Sequence, residues 1–440
     1  MKRVKVLNIF LYIYICVIGL TSCHAQDNSK KPKSPFEFRG IYSPTNALES
    51  IRDFYGTHHV DYDWGLWGHN LHKALGDNPD EKVLATIDGK KDKDQYCFSS
   101  DLMYDQLVEY IIDNFGDGET PGSSTRISIM PRDNKKSCTC KKCIAACNTK
   151  TNATPAVTNM MRKLAERFPK HQFFTSAYHS TRSAPKDKLP SNVGVIISAI
   201  DLPMRVAFSE NQGYRTFVNM VKEWKEKTSL IYIWDYSRNY SDYLSPFPVL
   251  KVMQRRFQLY DRLGVKGIFL NGSGDDYSSF DDMQTCILCK MMYDLALNVD
   301  AEVQKYYEEN YPETGKIIAD YYLKLERKVD ESNHIIPLYG SMEEEVESYL
   351  NVKNFEEFRN RLENAAKNVS GEEKEKLNYL LTAFSFTQLQ IMAMKKEENN
   401  PELKSELIER LKGHKDLKGM MNYGETDADI DSYIKKIENN

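Results

Sequence analysis

The strongest constraint on this chain is an alternation. Between residues 36 and 295, short apolar runs of β type are separated by longer stretches of helical periodicity. The β-type runs fall at 36–41, 58–64, 83–87, 126–130, 172–178, 193–200, 230–234 and 267–270. Helical patterns lie between most of them, at 46–54, 102–115, 155–168, 214–227 and 248–263, and a last one follows at 280–295. Ser99-Ser100-Asp101 supplies the cap for the helix at 102–115. The later runs are almost continuously apolar, as parallel strands covered on both faces must be. Eight such units in about 260 residues fit an α/β fold of the (β/α)8 TIM-like barrel type. A doubly wound open sheet competes, but no Gly-rich phosphate loop follows the first run. The barrel domain is expected over 35–298. Beyond it the strand signals stop, and 299–440 reads as a C-terminal helical region. Charge runs there, such as Glu343-Glu344-Glu345, are most simply solvated faces.

The N-terminus constrains location. Lys2, Arg3 and Lys5 precede an apolar run at 6–20 that only Asn8 interrupts, and Leu20-Thr21-Ser22-Cys23 follows. This is the layout of a secretory signal and is short for a membrane span. Its end resembles a bacterial lipoprotein signal, in which Cys23 would be lipidated. An ordinary cleaved signal is the alternative. Residues 1–22 are then the signal peptide and 23–34 a tether. The expected location is the bacterial cell envelope, lipid-anchored, on the periplasmic or outer-membrane surface. Export argues against nucleotide-dependent chemistry. A net charge of -4 gives no footprint for nucleic acid. The chain is rich in rings, with 27 Tyr and 19 Phe, and exported aromatic-rich proteins often stack rings on sugars, although most individual rings are core.

In a TIM barrel the chemistry sits at the C-terminal ends of the strands. Those ends offer Arg39, then Trp67, His69 and Asn70, then Asp88. Next come Asp133 and Asn134, Tyr178 and His179, Asp201, Trp234-Asp235-Tyr236 and Asn271. Acids for proton transfer, rings for stacking and amides for hydroxyl groups suit a carbohydrate pocket. Asp133, Asp201 and Asp235 are the candidate catalytic carboxylates. Arg39, Trp67, His69, Asn134, Tyr178, Trp234, Tyr236 and Asn271 are the candidate substrate contacts. Strand alternation forbids Trp234, Asp235 and Tyr236 from all facing one way. Either Asp235 faces the pocket, or the rings do and Asp235 anchors a neighbouring segment. At least one ring in the pocket is the expectation.

The cysteines carry a separate signal. Without Cys16 and Cys23, seven remain, so pairing cannot be complete. Cys138, Cys140, Cys143 and Cys147 are spaced closely enough to share a tetrahedral zinc. Export equally permits disulfides across the same loop, and the spacing does not decide between them. Cys286 and Cys289 read as core thiols.

Several segments together resemble domain-of-unknown-function family 4838. They are Trp67-Gly68-His69-Asn70, Asp133-Asn134 with the Cys-x-Cys-x2-Cys after it, Ala177-Tyr178, Asn192-Val193, Trp234-Asp235-Tyr236 and Gly264-Val265-x-Gly267. The resemblance implies a glycoside-hydrolase-like barrel, distantly similar to β-N-acetylhexosaminidases and α-glucuronidases. Arg39-Gly40 would match the Arg-Gly pair of the hexosaminidases' first strand. Their Asp-Glu pair would fall on Asp133-Asn134, and an amide cannot act as the general acid. The reading that follows is a membrane-anchored glycoside-hydrolase-like protein acting on oligosaccharides. Asp133 would work with Asp201 or Asp235, Arg39 would clamp the substrate, and Trp234 and Tyr178 would stack on it. No cofactor is expected for catalysis, and a structural zinc is possible. The expected partners are a glycan and, through the lipid anchor, a membrane, but not nucleic acid. The alternative is a non-catalytic glycan-binding lipoprotein on a degenerate barrel.

Overall fold

A computed structural model describes residues 33–438 except 121, 208–210, 333, 397–399 and 427. The signal peptide and the lipidation candidate Cys23 lie outside the described residues. Among those described, no helix is long and apolar enough to cross a membrane. The chain forms two compact units. One comprises Ser34–Ser237 and Arg255–Gly274. The other contains Arg238–Gln254 and the described residues from Asp275 onward.

The first unit is α/β. In chain order its strands are β1 (Phe38–Tyr42), β2 (Leu84–Ile87), β3 (Lys90–Tyr96), β4 (Arg126–Ser128), β5 (Gln172–Ala177), β6 (Val193–Ser198), β7 (Ile231–Tyr236) and β8 (Gly267–Asn271). Six of them form a parallel sheet in the order β1-β8-β7-β6-β5-β4. The sheet curls: Arg126 of edge strand β4 lies 5.3 Å from the ring of Phe38 on the opposite edge strand, β1. Inward side chains fill its concave face. Phe38, Trp64, Met130, Phe174, Ile196, Tyr232 and Phe269 pack as one cluster. Phe38 and Tyr232 stack with centroids 5.7 Å apart. The Tyr232 ring occupies the space that a side chain at Gly267 would need, since a Cβ there would come within 2.8 Å of it. Outside the sheet, helices Asp101–Phe115 and Thr154–Arg167 bury Leu107, Ile111, Val157 and Leu164 in a second core. Each such side chain stabilises the fold by about 1.5–3 kcal/mol.

The sheet departs from the expected eight strands at two places. Among the described residues, the run at 58–64 makes only a single bridge, His58 to Gly40 of β1. It then turns into the helix Val60–Asp63. His59 starts that helix: its ring accepts the Asp61 N–H, and its own N–H donates to the Asp63 carboxylate at 2.7 Å. The run at 83–87 becomes β2, which pairs antiparallel with β3. Asp88 and Gly89 both have positive φ, 47° and 79°, and this folds the chain back as a tight hairpin. Leu66 alone bridges to Ile127 of β4. The result is a curled six-stranded parallel sheet, with single bridges from His58 and Leu66 beside its edge strands and the expected third strand turned into a separate antiparallel hairpin.

The second unit is helical from Asp281–Met291 to Ile430–Glu438. Its core joins Leu244, Phe386, Leu389, Leu407, Leu411, Ile430 and Ile434. The segment Arg238–Gln254 is tied in by polar bonds. Arg238 pairs with Asp281 at 2.6 Å with both side chains buried. The Asn239 amide donates to Glu345 at 2.7 Å and to the Gly340 carbonyl at 3.1 Å. Glu326 accepts the backbone N–H groups of Leu250 and Lys251. The unit therefore includes 275–298, and the boundary expected at 298/299 falls inside it.

Candidate active site

At the C-terminal end of the curled sheet, three rings meet. Trp67 stacks on Trp234 with centroids 5.0 Å apart and planes at 23°. Both meet Phe269 edge-on, at 4.5 and 4.9 Å. Gly68, at φ 67°, turns the chain between Trp67 and His69. The His69 ring lies 6.4 Å from Trp234, and its Nδ1 is 2.5 Å from the Pro131 carbonyl. A carbonyl only accepts, so Nδ1 carries a proton and Nε2 is left free of this contact. The Trp234 Nε1–H is buried and has no partner among the described residues. Such a donor is costly unless a ligand or water satisfies it.

Beside the rings is a polar group. Tyr178 and His179 stack at 3.7 Å, and the His179 Nε2 lies 3.5 Å from the Asp133 carboxylate. Burial lowers the pKa of His179; the Asp133 charge opposes it, Lys135 and His69 lower it further, and Asp201 raises it. Burial raises the phenol of Tyr178, helped by the charges of Asp133 and Asp201. Both carboxylates therefore act on the same two rings. The Asp133 side chain is 62% exposed. Asp201 pairs with Arg182 at 2.6 Å, also in the open. Tyr236 reaches the Ser198 hydroxyl at 3.2 Å. Asn271 ends β8 opposite both Tyr236 and Tyr42, and its carbonyl accepts from the Ser237 hydroxyl.

Four expectations need correction. Asp235 does not face the rim. It points outward and is wholly buried with Arg256, to which it is ion-paired. It also accepts the Tyr260 hydroxyl at 2.5 Å and the Tyr236 N–H at 2.8 Å. Of the two arrangements open to Trp-Asp-Tyr, the rings face inward and Asp235 anchors the neighbouring helix Leu250–Leu263. Arg39 is also turned away: its guanidinium donates to the carbonyls of Phe36 and Gly56, at the start of β1. Asn134 is bound into the β2–β3 hairpin, accepting from Gln95 and donating to the Asp94 carbonyl. Cys147 is exposed, and Cys97 takes its place in the thiol cluster.

That cluster could hold a metal ion. The sulfurs of Cys97, Cys138, Cys140 and Cys143 all lie within 4.8 Å of one another. Cys97, Cys138, Cys140, Cys143 and Cys147 are free thiols, so none of the disulfides considered across this loop is formed. Hydrogen bonds from Cys143 and Cys97 push the Cys138 thiol down to about 2, and the Thr86 and Cys140 amides act in the same direction. Sharing protons with Cys138 raises Cys97 and Cys143.

Residues 28–323 match the family described as a domain of unknown function (DUF4838). The chain belongs to this family. The matched span contains all eight strands of the first unit. Among solved structures the chain is similar to a GH138 enzyme targeting pectin rhamnogalacturonan II. Identity is 9%, coverage 92% of this chain and 67% of that one, and the TM-score 0.35. It is similar also to CpGH84B, at 11% identity, 92% and 77% coverage and a TM-score of 0.32. Both likenesses are too distant to carry an activity to this chain. No curated protein matches it.

Proposed function

We propose that the DUF4838 chain is a glycoside-hydrolase-like protein that takes an oligosaccharide at the end of its curled sheet. The stacked Trp67–Trp234 pair carries this reading. Paired rings with a neighbouring imidazole and an unpartnered indole N–H suit the apolar face and hydroxyl groups of a pyranose. Tyr178, Tyr236 and Asn271 would add contacts around it. Hydrolysis would use Asp133 and Asp201 as the two carboxyl groups, one protonating the leaving oxygen and the other assisting attack. Their separation should then lie between about 5 and 9.5 Å. Asn134 supplies no proton, and Asp235 is occupied by Arg256. The N-terminal Leu-Thr-Ser-Cys supports anchoring of the folded units to the cell envelope through a lipidated Cys23.

A second reading, binding without turnover, draws on a specific observation. A general acid works best where its surroundings hold its proton near neutral pH. Asp133 is instead largely exposed, and Asp201 is engaged by Arg182. The deciding experiment incubates the purified protein with a panel of polysaccharides and oligosaccharides, reading released sugar and retained protein. Release that disappears in Asp133→Asn supports hydrolysis. Retention without release selects the binding reading. Neither release nor retention across the panel rejects both.

A further inference from the structure

We propose that Cys97, Cys138, Cys140 and Cys143 bind a structural zinc ion that fixes the loop bearing Asp133. At a Zn–S distance of about 2.3 Å, a tetrahedral tetrathiolate has sulfurs about 3.8 Å apart. Here Cys97 lies 3.6 Å from Cys140 and 3.7 Å from Cys143, and all four sulfurs fall within 4.8 Å. The ligand set is preorganised at the right size. Three of the four residues are buried and Cys140 is partly so, which keeps competing water away.

The surroundings fit thiolates. The Thr86 N–H donates to the Cys138 sulfur at 3.2 Å, and the Cys143 N–H to the Cys140 sulfur at 3.5 Å. The Ser99 hydroxyl lies 3.2 Å from the Cys143 sulfur. Backbone donors such as the Thr86 and Cys143 N–H groups orient metal-bound sulfur and disperse its charge. On binding, the thiols still protonated release their protons to solvent and four Zn–S bonds form, with no change of oxidation state. A tetrahedral all-sulfur set selects zinc or iron over harder cations. Zinc is the assignment because the cluster ties two segments together and leaves no position open for chemistry.

The geometry also gives the ion a purpose. Cys97 directly follows β3, while the other three ligands lie after β4, Cys138 and Cys140 in the loop and Cys143 in the short helix Lys141–Ala145. The segment between β4 and Cys138 carries Asp133. Gln95, two residues before Cys97, holds it from the other side, bonding to Arg132 and Asn134. Losing the ion would leave the hairpin and the loop joined by polar contacts alone, these and the Lys136 ion pairs to Asp92 and Asp94 among them.

The test is metal analysis of the full purified chain, prepared without chelators, beside Cys97→Ser and Cys147→Ser. One zinc per chain is expected in the wild type and in Cys147→Ser, and near none in Cys97→Ser. Cobalt substitution of the wild type should give the visible bands and charge-transfer absorption of a tetrahedral thiolate site. If Cys97→Ser fails to fold, Cys97→His should still bind one metal ion, with a shifted cobalt spectrum. Disulfide-linked peptides among these four cysteines with no metal would overturn the site. One equivalent of iron would overturn the choice of zinc. Zinc kept in Cys97→Ser but lost in Cys147→Ser would overturn the ligand set. None of these outcomes depends on what the rim binds.

Discussion

Asp235→Ala should destabilise the α/β unit by about 3–5 kcal/mol, the cost of leaving a buried charge without its partner. Both side chains of the pair are fully buried. Without the carboxylate, the Arg256 guanidinium keeps its bond to the Leu202 carbonyl, and its Nε already lacks a partner among the described residues. Tyr260 loses its acceptor as well, adding about 1 kcal/mol. The contrast is the exposed Arg182–Asp201 pair, where Asp201→Ala should change stability by no more than about 1 kcal/mol. Urea titration followed by tryptophan fluorescence isolates the effect. All four tryptophans (Trp64, Trp67, Trp224 and Trp234) belong to the α/β unit. The double variant Asp235→Ala/Arg256→Met should recover much of the loss, because the unpaired charge is gone. A loss under about 1 kcal/mol in the single variant would refute this reasoning. So would normal stability with abolished turnover in Asp235→Asn, which would return the carboxylate to the chemistry.

The remaining predictions concern the rim and the helical unit. Trp234→Ala should weaken binding of a retained oligosaccharide by about 1–3 kcal/mol in calorimetry, the scale of one aromatic contact; unchanged affinity would make the ring purely core. In the helical unit, burial holds Asp242 up to about 6 and Glu345 well above the usual carboxylate range. These acids keep their protons in the folded chain where the unfolded chain has lost them. Stability should therefore fall as pH rises from about 4 to about 6, with Asp242 contributing on the order of 3 kcal/mol. Glu345→Gln keeps an acceptor for Asn239 while removing the titrating carboxyl beside Asp242. It should raise this unit's stability at pH 7 and flatten the slope, read as the calorimetric transition that tryptophan fluorescence does not follow. A steeper slope in the variant would contradict the assignment.

The strands β5 to β8 were legible because each is buried on both faces and reads as a largely apolar run. Positions two and three of the expected barrel were misread for a physical reason. Asp88-Gly89 is a hairpin signal as well as a turn, and β3 is too charged to announce itself as a strand. Period-two alternation left the Trp234-Asp235-Tyr236 segment with two possible phases. What decides between them is Arg256, a partner 21 residues away on the following helix. The thiol cluster was legible in three of its four members. Cys97 stands 43 residues from Cys140 and arrives by way of the hairpin. Cys147 has φ 75° just beyond the helix Lys141–Ala145 and is left exposed. Spacing along one loop could not reveal either fact. Arg39 and Asn134 lay near strand ends, but nearby carbonyl and amide groups took up their side chains.

The most direct test of the account is a crystal structure of Asp133→Asn with an oligosaccharide that the glycan panel shows to be retained. The account predicts a pyranose ring against the Trp67–Trp234 pair, with a hydroxyl within hydrogen-bond reach of His69 and the scissile oxygen beside residue 133. Sugar bound only elsewhere would contradict it. One such place is the cavity of about 410 Å³ in the helical unit, lined by Tyr321, Lys324, Arg327 and Asn351.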